Sequence, residues 1–465
     1  MKRKKKGRIS MKKILKTLAL ALCAAMIAAG ALADNTETDS QLPPAPPSGE
    51  MNNGQQPPEP PDGNMNGQPP APPSGDMNGQ PPAKPDGENA PSGAPGGMPG
   101  GPGGSGAPTE YAAAATVTED SQNASYTSSA DSENAVLVSG DTVTLSGASV
   151  TKSGSSDGDS ADFYGINATV LAKDGATLTV EESTITSDGA HANGIFSYGA
   201  GTTVNVSNTG IVTSGNNSGG LMTTGGGTMN AVNVTVSTSG NSSAAIRSDR
   251  GGGTVNVTGG DYATSGKGSP AIYSTAEISV TGATLSASAS EAVVIEGGNS
   301  VTLTDSTLTG NNSTLNGQST QKTNVLIYQS MSGDASEGAS TFTMTGGSMT
   351  AETGSMFHVT NVTTTITLEN VSFNYAADSS VFLDASADSW GKSGANGGHV
   401  TLNLVSQAIS GAILCDSDSS VAVVMDSQSS WTLQGDSVIS SFEGDLSQVN
   451  LNGYTLTIGE QTVVG

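Results

Sequence analysis

The sequence predicts an all-β fold, a single-stranded right-handed parallel β-helix, for the chain from about residue 109 to its end. Three observations predict it. This region consists of short β-prone runs separated by turn-forming residues, a landmark of longer period recurs along it, and it contains one proline, Pro270, of the 21 in the chain. Proline cannot donate to a β-ladder, so its near absence fits a molecule built from stacked strands.

The short runs alternate apolar and polar residues with period two, and they are bounded by Gly, Ser, Asn and Asp. Thr177–Val180, Thr254–Val257 and Thr365–Leu368 are examples. Such alternation in Thr- and Val-rich segments is typical of half-buried strands. A β-sandwich is the alternative all-β architecture, but a sandwich turns every 8 to 12 residues or so without a longer period.

The longer period comes from a landmark, a small or polar residue followed by an inward-facing apolar residue and a short strand. Steps between landmarks are 22 to 32 residues, and two further β-prone runs recur within each step. Each such coil is too thin to bury its own face, so coils must stack to share one core. We therefore expect about ten coils. The landmark residues are Ile166, Ile195, Leu221, Ile246, Ile272, Val294, Leu326, Phe357, Phe382 and Ile413.

Two segments precede the β-prone region. Residues 1–33 have a basic start with nine Lys or Arg, an apolar run and an Ala-Leu-Ala end, which is the pattern of a secretory signal peptide, either cleaved or retained as an anchor. Residues 34–108 contain 20 of the 21 prolines and a repeated Met-Asn-Gly-Gln-Pro-Pro motif. This composition cannot bury a core, so we expect a disordered Pro/Gly-rich stalk between the signal and the β-helix at 109–465.

The charge of the exported part limits its partners. Nine of the 17 Lys and Arg lie in the signal, which leaves eight against 42 Asp and Glu, a net charge of −34. Such an acidic chain does not suit nucleic acid, because nucleic acid binding needs cationic neutralisation. We expect contact with a membrane only through an uncleaved signal segment. With Cys23 in the signal, Cys415 remains without a partner, so no intramolecular disulfide is expected.

From about residue 135 onward the chain resembles the right-handed β-helix proteins of the pectate-lyase-like superfamily, including adhesin-type and carbohydrate-binding members. The tail around Ser430–Ser437 and Leu451–Ile458 is similar to the end of an autotransporter passenger. Within this resemblance, hydrolases carry Asp-Asp and Gly-His-Gly signatures, and neither occurs in this chain. Lyases need calcium or cationic side chains, with an Arg or Lys as base, and from residue 109 onward only Arg247 and Arg250 are close in sequence. We therefore expect a non-catalytic protein.

Strand alternation predicts which side chains point outward. If each landmark faces the core, the next residue faces solvent. Phe196, Met222, Arg247 and Tyr273 would then form a continuous stripe that suits sugar stacking or a protein partner, unless a loop or the segment 109–135 covers it. Trp390, in a glycine-containing insertion, would either stack on a sugar or anchor its own loop.

A metal site is the other candidate. Asp157, Asp159 and Asp162 lie on a Gly-containing loop, and carboxylate oxygens are the ligands that calcium prefers. The alternative interpretation is a solvated insertion, and we expect no cofactor to be required. The Thr-x-Thr elements would suit an ice-binding face only if they shared one flat strand in successive coils, and we expect that they do not.

Together these observations favour a secreted or cell-surface bacterial protein that binds glycan or mediates adhesion without catalysis. Its partner would be a polysaccharide, a host or cell-surface glycan, or a protein. The alternative is a polysaccharide lyase or glycoside hydrolase of the pectate-lyase-like superfamily.

Overall fold

The computed structural model describes residues 107–317 and 319–464. The predicted signal peptide and nearly all of the predicted stalk lie outside the described residues. The described chain is a parallel β-helix, with three long sheets in which each strand pairs with the strand one coil earlier and one coil later. The predicted fold class is therefore confirmed. No helix among the described residues is long and apolar enough to cross a membrane.

Sheet 1 has 12 strands, all parallel. They are Ala112–Thr116, Glu133–Ser139, Val170–Lys173, Ile195–Tyr198, Leu221–Thr224, Ile246–Ser248, Ile272–Ser274, Val293–Glu296, Thr323–Tyr328, Ser355–Thr360, Val381–Ala385 and Ala412–Cys415. Sheet 2 has 13 strands. They are Ser121–Gln122, Thr142–Ser146, Thr177–Glu181, Thr203–Ser207, Gly227–Val232, Gly253–Thr258, Glu277–Thr281, Ser300–Thr304, Ala339–Thr345, Val362–Glu369, Gly398–Val405, Ser420–Met425 and Ser441–Glu443.

Sheet 3 has ten strands. They are Ser125–Ser128, Ser149–Lys152, Thr184–Ser187, Gly210–Thr213, Thr235–Thr238, Asp261–Thr264, Thr284–Ala287, Thr307–Gly310, Ser348–Ala351 and Ser372–Asn374. Two three-stranded sheets complete the C-terminal end. Their strands are Ala408–Ser410, Ser430–Thr432 and Val449–Asn450 in one, and Ser437–Ile439, Thr455–Ile458 and Gln461–Val464 in the other. The described helices are α1 (Asp159–Tyr164) and a 3₁₀ turn at Leu446–Gln448.

The core runs along the inside of the stacked coils and consists mostly of Val, Ile, Leu and Ala. Strands of sheets 2 and 3 alternate buried and exposed residues, as the sequence alternation predicts. Where the interior widens, aromatic rings fill it: Phe357 packs edge-on against Phe342 and Phe382, with ring centroids 5.4 and 5.6 Å apart. Trp431 is fully buried near the C-terminal end, where it donates a hydrogen bond to the carbonyl of Gly411.

The landmark prediction holds for the middle coils, for Phe357 and for Ile413, and it slips by a residue or more at Ile166, Val294, Leu326 and Phe382. Ile195, Leu221, Ile246 and Ile272 are in register in sheet 1, as predicted. At the N-terminal side, the residue in register with Ile195 is Val170 rather than Ile166, because a helix precedes the strand.

Further along, Val293 and Val325 take the inward positions predicted for Val294 and Leu326. The outward residues there are consequently Val294 and Leu326 rather than Ile295 and Ile327. Near Phe382 the register shifts between Val381 and Leu383, and the outward residue is Asp384.

The expectation that the Thr-x-Thr elements do not share one strand in successive coils holds only in part. In sheet 2 one strand position carries a threonine from Thr142 through Thr177 and Thr203 to Thr228 and Thr254, but of these only Thr142 and Thr177 begin a Thr-x-Thr element. After Glu277 and Ser300 the row resumes at Thr341, Thr365 and Thr401. The row therefore consists of single threonines as well as Thr-x-Thr elements, and the exposed charge of Glu277 interrupts it.

A buried hydroxyl in the core gives a stability prediction. Tyr262 is 1% exposed, and its Oη has no hydrogen-bond partner among the described residues. Burial also raises the pKa of this phenol. Because an unsatisfied buried hydroxyl costs about 1–3 kcal/mol, Tyr262→Phe should leave the ring packing intact and stabilise the protein by about 1 kcal/mol. Urea denaturation measures this difference.

Tyr126→Phe is the matched control, because the Oη of Tyr126 donates to Ser121 over 2.9 Å. That change should cost about 0.5–1.5 kcal/mol. A Tyr262→Phe variant less stable than the parent would show that the hydroxyl is satisfied.

Candidate functional site

Sheet 1 presents one outward residue per coil along its centre. These side chains lie opposite the core-facing residues and are in register from coil to coil. Four insertions, residues 153–169, 311–322, 329–338 and 386–397, leave the coils at the two edges of this sheet. In chain order the row is Leu137, Leu171, Phe196, Met222, Arg247, Tyr273, Val294, Leu326, His358, Asp384 and Leu414.

The predicted continuous stripe is interrupted by the first insertion. Phe196 and Met222 are fully buried and form a small apolar cluster outside the main core with Leu137, Leu171 and Ala168. Helix α1 lies beside them, and the carbonyl of its residue Phe163 accepts a hydrogen bond from Thr224. The expectation that Phe196 and Met222 are exposed is therefore wrong. The cause is burial of their apolar surface, because Gly165 and Ala168 of the insertion and Tyr111 of the N-terminal segment pack against this cluster.

Gly165 shows how closely the insertion approaches the sheet. It ends α1 in the left-handed conformation, with φ +77°, which favours glycine. A Cβ at this position would lie 2.6 Å from Leu171 Cδ1 and 3.2 Å from the ring of Phe196. A side chain here would therefore lift the helix away from the sheet.

Beyond α1 the outward face opens into a cleft with a volume of about 320 Å³. Val294 and Leu326 form an apolar floor, and Tyr273 and Tyr328 stand beside them. Phe163 of α1 closes one side, and Trp390 of the insertion 386–397 closes the other. Loops contribute several polar lining residues: Ser242, Glu291, Asn316, Ser319, Ser330, Ser332 and Asp334.

Trp390 is the aromatic wall. Its ring lies 4.4 Å from that of Tyr328 at an angle of 50°, and it packs against the cluster formed by Val294, Leu326 and Tyr328. The loop that carries it is held firmly, because Asn396 donates to the carbonyls of Asp388 and Trp390 over 2.8 and 2.7 Å. Trp390 therefore both anchors its loop and lines the cleft, so the two interpretations left open by the sequence are compatible.

Asp388 fixes the same loop to its neighbours. Its carboxylate accepts from the backbone N–H and hydroxyl of Thr320, and Nε2 of the buried His358 lies 3.3 Å from Oδ2. Burial alone would raise the pKa of Asp388, but the adjacent His358 and the hydrogen bonds from Thr320 outweigh burial and lower it well below the usual range. Two walls of the cleft, residues 311–322 and 386–397, are joined through this carboxylate.

Glu296 is the centre of the polar cluster. It is 2% exposed, and its Oε2 accepts hydrogen bonds from the hydroxyls of Tyr273 and Tyr328, the latter over 3.0 Å. Ser330 donates to the other oxygen. Burial raises the pKa of Tyr273 and Tyr328 well above 10, so both phenols stay protonated and can donate. Three hydroxyl donors thus stabilise one buried carboxylate.

Arg247 and Asp249 form a buried ion pair at the edge of the cleft, with Nη2 2.8 Å from Oδ2. Burial raises the pKa of Asp249 to about 6, despite the opposing effect of Arg247. Burial alone would lower the pKa of Arg247, but the charge of Asp249 outweighs it and raises that pKa. At neutral pH both groups are charged.

Arg250 connects α1 to the opposite side of the cleft. Its guanidinium lies 4.0 Å from the centre of the Phe163 ring and donates to Asp334 of the insertion 329–338 over 2.8 Å. Asp159 of α1 lies 3.9 Å from the same group. Cation–π and ion-pair contacts of one side chain therefore hold two walls in place.

The predicted metal ligands are not brought together. Asp157 is exposed, Asp159 lies near Arg250, and Asp162 pairs with His191 over 2.9 Å. Within residues 107–317 and 319–464, no group of three or more His, Cys, Asp or Glu side chains is arranged to hold a metal ion. The expectation of a shared site is corrected, because α1 directs the carboxylates of Asp159 and Asp162 to different cationic or imidazole partners.

Of the predicted ligand-binding residues, the structure brings together Arg247, Tyr273 and Trp390 in the cleft. Sequence reasoning missed Asp249, Glu296 and Tyr328. These residues follow the central outward row by two positions, so they form a second outward row. The sequence contains one signal, a glutamate at the end of the otherwise apolar strand Val293–Glu296. The prediction that Val294 faces the core places Glu296 on the inward face as well, and in the structure both residues face outward.

Comparison of the chain with protein-family models, curated protein sequences and solved structures finds no match. The function must therefore be inferred from the residues that line the cleft. Aromatic rings over an apolar floor, with carboxylates and hydroxyls around them, can stack on the C–H faces of a sugar and accept or donate hydrogen bonds to its hydroxyl groups.

Proposed function

We propose that this protein is a secreted or cell-surface β-helix of the pectate-lyase-like type that binds a glycan in the cleft on sheet 1, without catalysis. The observation that carries the proposal is the aromatic-lined cleft of about 320 Å³ over Val294 and Leu326. A cleft of this size with a few convergent polar groups is typical of a small-molecule or oligosaccharide subsite.

The charges of the cleft support a particular class of glycan. The described lining residues include one cation, Arg247, and that guanidinium is engaged with Asp249. A uronate polymer would place carboxylates against Glu291, Glu296 and Asp334, which costs free energy by like-charge repulsion. The cleft therefore favours a glycan without carboxylates.

A glycoside hydrolase is the second candidate. Asp249, with a pKa raised to about 6, could act as a general acid. Asp249 follows the outward residue Arg247 by two positions, as Glu296 follows Val294, and the two strands are two spacings apart, roughly 9.6 Å, which approaches the carboxylate separation of inverting enzymes. The hydrogen bonds that already engage both carboxylates favour binding over this chemistry. Release of new reducing ends from a neutral polysaccharide would support the hydrolase instead.

Trp390→Ala tests the binding proposal. On an array of plant, host and bacterial glycans, the purified chain should bind a defined subset. The variant should bind its best glycan about tenfold more weakly, because a stacked ring contributes roughly 1 kcal/mol or more beyond the area it buries. Quenching of tryptophan fluorescence by that glycan should also disappear, because Trp431, the other tryptophan of the chain, is buried.

Tyr454→Ala is the matched control, because Tyr454 is a 38% exposed aromatic residue near the C-terminus. It should leave glycan affinity and thermal stability unchanged. Equal affinities for the parent and Trp390→Ala, with both folded, would exclude the cleft as the glycan site.

A further inference from the structure

The charges that line the cleft do not balance. Among the described residues, five carboxylates and one guanidinium contribute to its surface. Three of the carboxylates have cationic or imidazole partners: Asp249 pairs with Arg247, Asp334 with Arg250 and Asp162 with His191. The other two, Glu291 and Glu296, have none within 4 Å in the part of the chain that the structure describes.

Both unbalanced carboxylates are buried. Glu296 is 2% exposed and is held by neutral hydroxyl donors alone. Glu291 is 5% exposed, and its oxygens accept from Ser290 and Asn312 over 2.8 and 2.9 Å. Burial raises the pKa of Glu291, although its hydrogen bonds and the more distant His358 oppose the rise. Buried carboxylates are ordinarily paired with a cation. A cationic group of a ligand can therefore supply the partner that Glu291 and Glu296 lack among the described residues.

The two carboxylates flank one strand of the cleft floor. Glu296 ends the strand Val293–Glu296 and Glu291 precedes it, so their Cα atoms are at most roughly 16 Å apart. Val294 lies between them on the outward face, and the rings of Tyr273, Tyr328 and Trp390 pack with it. Aromatic faces beside a carboxylate attract ammonium groups through both the ring quadrupole and the formal charge.

We propose that the ligand of the cleft is an amino sugar with free amino groups, as in a deacetylated hexosamine oligosaccharide. The proposal rests on glycan binding in this cleft and specifies its chemical class. An ammonium group approaches Glu296 beside the Tyr328 and Trp390 rings, while the pyranose ring lies over Val294 and Leu326. Carboxylates have about four acceptor sites each, so Glu296 can accept from an ammonium in addition to its three hydroxyl donors.

Isothermal titration calorimetry with two matched oligosaccharides tests this. The probes are a glucosamine pentasaccharide and the fully N-acetylated pentasaccharide, at a pH where the free amines are protonated. The free-amine form should bind at least about tenfold more tightly, and added salt should reduce its advantage because the difference is electrostatic. A lysine pentapeptide, which carries ammonium groups without sugar rings, should bind more weakly than the glucosamine pentasaccharide.

Glu296→Gln separates the carboxylate from the shape of the site. The amide oxygen still accepts from the tyrosine hydroxyls, so the variant should lose most of the preference for the free-amine form and keep its affinity for the acetylated form. Glu352→Gln, at an exposed position next to a sheet 3 strand, removes the same charge and should keep the preference. Glu291→Gln provides a second test at the other end of the strand if Glu296→Gln does not fold.

The outcomes distinguish the two proposals. Equal affinity for the two pentasaccharides, or a preference that survives in both Glu296→Gln and Glu291→Gln, overturns the ammonium inference while glycan binding stands. Binding of the lysine peptide as tight as that of the sugar overturns the sugar class. Binding of no glycan at all, on the array or in calorimetry, overturns both proposals.

Discussion

Replacing Arg247 by methionine should destabilise the protein by about 3–5 kcal/mol at neutral pH, the cost of leaving one member of a buried ion pair without its partner. Asp249 would keep the backbone N–H of Arg250 as a donor, but the nearby charges of Asp162 and Asp334 would then repel it without compensation. Urea denaturation, which gives the free energy of unfolding, measures the loss.

The loss should depend on pH. The pKa of Asp249 is raised to about 6 in the folded chain, against about 3.9 in an unfolded chain. An acid with a raised folded pKa contributes stability that is fully present below about pH 4 and is lost as pH rises through the folded pKa. Removing Arg247 raises that pKa further. The difference in stability between parent and Arg247→Met should therefore be smaller at pH 5 than at pH 8.

The double variant Arg247→Met with Asp249→Asn is the control. It removes both charges, so most of the lost stability should return and the pH dependence should disappear. A single variant whose deficit is the same at pH 5 and pH 8 would show that lost packing, rather than the unpaired carboxylate, causes the destabilisation.

Phe357→Ala should also cost about 3–5 kcal/mol, because it removes a fully buried ring from the core. Its ring packs edge-on against Phe342 and Phe382, so the cavity is bordered by rigid side chains that cannot readily fill it. Chemical denaturation gives the total loss. Because each coil contacts its neighbours, hydrogen exchange should show the greatest loss of protection around residues 340–385.

Phe357→Leu serves as the matched control, since it leaves most of the volume filled and should cost less than half as much. Phe442→Ala, at a half-buried position near the C-terminal end, should also cost less. If Phe357→Ala were as stable as Phe357→Leu, the interior at this level would have to be loosely packed.

The middle coils show what the local sequence pattern predicts correctly. Around Ile195, Leu221, Ile246 and Ile272 the spacing is regular, and here the alternation correctly places Arg247 and Tyr273 on the outer face of sheet 1. Where the coil length changes, through an insertion before Val170 and a shorter coil before Val293, the register is set by pairing with the neighbouring coil. A one-residue slip exchanges the two faces of a strand, so the local pattern misplaced Ile295 and Ile327.

The candidate cleft depends on contacts that have no local pattern. Asp388 meets Thr320 across 68 residues, and Arg250 meets Asp334 across 84. Glu296 and Tyr328 are 32 residues apart and become neighbours because their strands pair in register. Contacts of this kind cannot be predicted from a local pattern, because they depend on the lengths of all the turns between the two residues.

The sequence by itself determined that this chain forms a parallel β-helix, because period-two alternation and a coil-length repeat are properties of neighbouring residues that persist in any register. Only the tertiary structure decided that the insertion 153–169 and Tyr111 pack against the cluster that contains Phe196 and Met222, and that the stripe opens at Arg247 and Tyr273. The physical reason is that burial depends on which insertion reaches which face. That choice is made by packing between segments distant in sequence, such as α1 on sheet 1 and Trp390 on Tyr328.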